Sequence, residues 1–219
     1  MGKDFEFRQL LRAYRAGLIT EETFEAEMAS MDPQNGHGNG ISGPEGFKAF
    51  GKTYRSERDA IVSFLDKVQA AESNAGIAFG NWGKVCTTDC IRSGIKMIAE
   101  RESYHGRIFE NRIRELGAEP RATVSEASVK FAACAADPGM PDNEKLLSVT
   151  RAISSPEEVI QPIVDFANLI VEDQETKEAL RLFAEDELSS TRWLVYACGA
   201  LNAPAPADQP NGMADTSNS

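Results

Sequence analysis

Between residues 53 and 202 the apolar side chains recur at intervals of three and four, so the chain is predicted to be helical rather than stranded. The first run sets Phe64, Val68, Ala71, Ala75, Ala78, Trp82 and Val85 on one stripe and persists through Gly76, Gly80 and Gly83. A break with a capping residue follows at Cys86-Thr-Thr-Asp89. The second run, from about residue 88 to 116, places Ile91, Ile95, Ile98, Ile108 and Ile113 on one side. It stops at Gly117, with Pro120 shortly after.

Residues 121–150 are less regular and predict one or two short helices, around 124–136 and 143–152. Ser155-Pro-Glu-Glu158 has the form of a helix start, with a capping serine, proline at the first helical position and glutamate at the third. A third long helix then runs to about 171 and a fourth from about 175 to 201. Four long antiparallel helices with the long connection between the second and third make an all-α bundle with one crossover.

Outside this region the pattern changes. Residues 1–31 predict two short helices joined by a turn, with Leu10, Leu11 and Tyr14 in the first and Thr20 capping the second. Residues 32–52, rich in Gly, Asn and Pro at their start, are expected to be a flexible connection, in which His37 is an exposed residue rather than a ligand. Residues 203–219 have the composition of a disordered tail. The segment GLITEETF within the first 31 residues resembles the helical hairpins of the SHOCT type, which implies an interaction module.

The second and fourth helices align when one is moved 85 positions along the other: KMIAERESYHGRIF falls on RLFAEDELSSTRWL. Ala99 then meets Ala184, Glu100 meets Glu185, Glu102 meets Glu187 and Arg107 meets Arg192. Glu72 and Glu102 each lie about 14 residues from the turn between the first two helices, so an antiparallel pair brings them level. In the second half Glu187 is about as far from its own turn, and the level position on the third helix is Glu158, or Glu157 beside it.

On these residues the chain resembles the ferritin-like superfamily, over about residues 54–202. The resemblance to its rubrerythrin-type members implies a di-iron or di-manganese centre held by one Glu from each of two helices and a Glu-x-x-His from each of the other two. Glu72 matches the first single Glu, Glu102 and His105 the first Glu-x-x-His, Glu158 the second single Glu, and Glu187 the second motif. Ser190 stands where the second histidine is expected, and a neutral hydroxyl is a poor ligand for iron. Ser190 and Tyr104 are therefore expected beside the metal rather than on it, and no catalytic residue is assigned. The implied chemistry is that of oxygen, peroxide or iron.

Composition bounds the alternatives. With 42% apolar and 26% charged residues the chain has the balance of a globular protein. A net charge of -11 and a pI near 4.8 argue against nucleic acid and against an anionic membrane surface. Without a leader-like N-terminus or an apolar run of about 18 residues, a cytoplasmic protein is expected. Cys86, Cys90, Cys134 and Cys198 lack zinc or disulfide spacing and read as buried thiols. A homo-oligomer is expected, with a protein partner for the hairpin or the tail. The competing reading is a metal-free bundle of the same ancestry that serves assembly, with the glutamates and arginines of the second helix as solvated pairs.

Overall fold

A computed structural model describes residues 46–203. Two short strands, β1 (Phe47–Ala49) and β2 (Lys52–Tyr54), precede six helices: α1 (Glu57–Val85), α2 (Asp89–Glu115), α3 (Glu126–Ala136), α4 (Asp142–Thr150), α5 (Pro156–Leu169) and α6 (Gln174–Asn202). The described chain is thus mostly helical, as the periodicity predicts. No helix among the described residues is long and apolar enough to cross a membrane. The short N-terminal helices, His37 and the tail from 204 onward lie outside the described residues.

Several helix ends follow their sequence signals, although Thr88 at the start of α2 makes no side-chain capping bond. Ser56, Ser125, Ser155 and Asp173 each accept a backbone N–H at the start of α1, α3, α5 and α6. The α2 terminus closes on Gly117 at φ 70°, where Ala118 N–H donates back to the Ile113 carbonyl at 3.1 Å.

The β-hairpin was not foreseen. Its pairing of Ala49 with Lys52 leaves Phe50 and Gly51 as a two-residue turn with φ of 51° and 72°, the mirror-image turn that matches strand twist. A phenylalanine is strained there. Packing compensates, because the Phe50 ring stacks on Phe64 at 5.3 Å and meets Phe166 at 5.0 Å. Glycine-rich composition upstream hides an aromatic anchor that only the helices reveal.

α1 and α2 form one antiparallel hairpin and α5 and α6 another. The first is unusually close, since a Cβ on Gly76 would lie 2.9 Å from the Ser103 amide and one on Gly106 equally near the Ser73 amide. The turn between α1 and α2 is held by buried Asp142, which accepts from Trp82 Nε1 at 2.7 Å and from the Thr87 and Thr88 amides at 3.0 and 2.8 Å. At the other end buried Glu57 accepts the Val171, Glu172 and Asp173 amides at 2.7–2.8 Å. Each hairpin's turn is therefore tied to a distant part of the chain.

Two apolar clusters form the interior. One gathers Ile61, Leu65, Phe109, Phe166, Leu180 and Phe183; the other gathers Trp82, Ile95, Ile98, Leu146 and Leu194. On α1, α2 and α6 the break between clusters falls at Glu72, at Glu102 to His105, and at Glu187 to Ser190. The polar residues occupy the seam.

Candidate metal centre

Glu72 on α1, Glu102 and His105 on α2, and Glu187 on α6 bring their ligand atoms within 4.8 Å of one another. Glu72, Glu102 and His105 are buried, with 9%, 5% and 4% of their surface exposed. Unpaired carboxylates are costly in such surroundings.

The close α1–α2 register sets the geometry. With Gly76 facing Ser103 and Gly106 facing Ser73, His105 lies nearer the level of Glu72 than Glu102 does. The carboxyls of Glu72 and Glu102 nevertheless meet in a side-chain hydrogen bond. Burial raises both carboxyls, so the contact favours a proton shared between them.

His105 is gripped from outside. Its Nε2 lies 3.1 Å from Asp186 Oδ2, so in the neutral ring Nε2 carries the proton and Nδ1 turns its lone pair inward. Nδ1 stands 3.5 Å from Glu72 Oε2 and 3.7 Å from Glu187 Oε1. All three atoms are buried, and none has a hydrogen-bond partner. The three atoms thus converge with no hydrogen bond among them, an arrangement that protons on the carboxyls or a bound cation would relieve.

Size distinguishes the cations. Donors around one ion at about 2.1–2.3 Å stand about 3.4–3.8 Å apart in a tetrahedral arrangement, whereas acceptors around an ammonium at about 2.8 Å stand about 4.6 Å apart. The 3.5 and 3.7 Å separations from His105 Nδ1 fall within the metal spacing, and all four candidate ligand atoms lie within 4.8 Å of one another.

Electrostatics carries the same mark. Burial, reinforced by the Glu187 charge, pushes the Glu72 carboxyl up to about 8. Burial, reinforced by Glu102, does the same to Glu187, also to about 8. Burial and Glu72 raise Glu102 well above the usual carboxylate range. A nearby Arg101 opposes the shift at both Glu102 and Glu187. Carboxyls raised together in this way make the cluster a candidate functional site.

The other expected residues stand apart. Glu158 is held at the start of α5, where its carboxylate accepts from Ser154 Oγ and its amide donates to Ser155 Oγ. It is exposed, and it does not join the four converging groups. Its neighbour Glu157 accepts from Arg192 at 2.7 Å on the surface. Ser190 is buried, but its hydroxyl accepts from Arg101 at 3.3 Å. Tyr104 is 51% exposed and carries Arg107 over its ring.

Sequence reasoning missed Asp186 and Arg101. The 85-residue alignment superposes these two on each other, one position before Glu187 and Glu102. A signal was therefore present. Nothing in the pattern showed that the two positions diverge, Asp186 to the His105 ring and Arg101 to Ser189 and Ser190. Of the four thiols, Cys86 and Cys198 are buried, Cys134 is half-buried and Cys90 is exposed at the start of α2.

A cavity of about 640 Å³ opens onto the same cluster, with Glu72 and Glu187 among its walls. It lies between α1, α5 and α6, where α5 packs on α6 and reaches α1 through the Phe64–Phe166 ring contact at 4.6 Å. Comparison with known proteins finds no matching family model, no matching curated protein and no matching solved structure.

Proposed function

We propose that this chain is a ferritin-like helical bundle that binds one iron or manganese ion through Glu72, Glu102, His105 and Glu187 and acts in oxygen, peroxide or iron chemistry. The observation that carries the reading is the meeting of Glu72 Oε2, Glu187 Oε1 and His105 Nδ1, three buried atoms without hydrogen-bond partners, with Nδ1 3.5 and 3.7 Å from the two oxygens. Three carboxylates and one imidazole suit a hard or borderline divalent ion of this kind. Glu158 and Ser190 lie outside the cluster, which favours one ion over the two that the resemblance implies.

Each residue has a part in this reading. Glu72 and Glu187 supply charge and shed protons as the ion enters, and Glu102 gives up the proton that it shares with Glu72. His105 contributes a lone pair aimed by Asp186. The bound ion would supply reversible one-electron chemistry. The apolar clusters on either side exclude bulk water from the donors, leaving the cavity as the approach.

Metal analysis of protein purified without chelator tests the proposal. About one equivalent of Fe or Mn is expected, largely lost in His105→Ala; less than about 0.2 equivalents, unchanged in that variant, overturns it.

A second reading is supported by the Glu72–Glu102 hydrogen bond, which lets two buried carboxyls share a proton and stand without metal. It makes the chain a metal-free assembly protein. Thermal stability unaffected by EDTA and by added metal favours that reading, because a native-state ligand must raise stability when it binds.

A further inference from the structure

The cavity over the cluster is larger than dioxygen, peroxide or a hydrated ion requires. Its volume of about 640 Å³ falls within the range of pockets for organic ligands. Phe64, Val68, Pro162, Ile163 and Phe183 line much of it, with two aromatic rings available to stack on a ligand. Of its charged side chains, Glu158 is engaged by Ser154, Lys67 is exposed on α1, and Glu72 and Glu187 belong to the proposed centre. Lys67, Ser154, Ser155 and Glu158 supply polar groups elsewhere on the wall, while at the cluster end two buried carboxyl oxygens lack partners.

We infer that this cavity binds an uncharged organic molecule with an apolar, ring-sized body and a single hydroxyl, its hydroxyl directed at the Glu72–Glu187 end. Beside Glu72 and Glu187 a carboxylate would face other carboxyl oxygens, and against Phe64, Val68 and Phe183 a second polar group would lack a partner. The inference rests on the proposed metal centre for the direction of binding, though not for the binding itself.

The test uses 4-butylphenol, with 4-butylbenzoate as the charged comparison, in calorimetric titrations of the full chain with and without Mn(II). Val159→Trp and Ala71→Phe, both at exposed positions in the cavity wall, close it from opposite helices. Saturable binding of the phenol, at least about tenfold tighter than the benzoate and weakened at least about tenfold by either variant, is expected, a ratio matching one well-placed polar contact. With Mn(II) bound, the electron paramagnetic resonance line should change as the phenol is added. No saturable binding, stronger binding of the benzoate, or binding that both variants leave unchanged overturns the inference. An unaltered line in Mn-loaded protein overturns the placement of the hydroxyl. Failure of the metal proposal is distinct, because it is read as absent Mn(II) uptake before any phenol is added.

Discussion

Asp186 Oδ2 sits 3.1 Å from His105 Nε2 and turns the other ring nitrogen, Nδ1, toward Glu72 and Glu187. Half-exposed Asp186 thus decides which face of a buried imidazole the interior receives. The carboxylate also fixes the orientation of the ring it grips.

Loss of this grip should be felt as metal affinity. Asp186→Ala is predicted to weaken Mn(II) binding about 10–100-fold, as expected for removal of an outer partner of a ligating histidine. Asp186→Asn, which keeps an acceptor at the same place, should cost less. Equal affinities for all three proteins in a Mn(II) titration would sink the assignment.

Acidity sets the stability of the metal-free chain. Glu72 and Glu187 titrate near 8 in the fold, against an ordinary value of 4.5. Between those values the folded state holds more protons than the unfolded one, so its stability falls as pH rises through the window. EDTA-treated protein should therefore melt higher at about pH 5.5 than at about pH 8.5, with the difference reduced in Glu72→Gln/Glu187→Gln. Metal affinity should run the other way and increase with pH, since the ion displaces those protons. A flat melting profile in the metal-free protein contradicts the prediction.

The α1–α2 contact leaves no room for a methyl group. A Cβ at Gly106 would come within 2.9 Å of the Ser73 backbone nitrogen, so removing the Ser73 hydroxyl cannot relieve it. Gly106→Ala should destabilise the fold by about 1–3 kcal/mol and, by separating Glu72 from His105, weaken Mn(II) binding. Gly199→Ala, with nothing within 4 Å of the added carbon, is the control and should be neutral or mildly stabilising. Urea denaturation of both variants provides the comparison.

Asp142 is a purely structural acid. Its carboxyl is held well below the usual range, despite burial, by hydrogen bonds from Trp82, Thr88 and Thr87. Asp142→Ala would strand these donors and is predicted to cost about 3 kcal/mol, while protein that remains folded should bind Mn(II) as before. Unchanged stability in urea, or a selective loss of metal, would show that the role is misassigned.

The sequence by itself determined which segments are helices and where they end. Spacing of apolar residues, capping by Ser56, Ser155 and Asp173, and the stop at Gly117 are local matters, settled within one or two turns of chain. It also singled out Glu102, His105 and Glu187, because the 85-residue internal match set one Glu-x-x-His beside its altered copy, and Glu72 through its distance from the turn between the first two helices. Tertiary structure alone decided which carboxylates meet. Glu157 and Glu158 have the spacing of site residues, but the exposed start of α5 commits them to Arg192 and Ser154. Asp186 was not singled out, yet the approach of α6 to α2 sets it against the His105 ring. Convergence depends on helix rotation and on a glycine–serine contact between distant residues, and a one-dimensional pattern records neither of these.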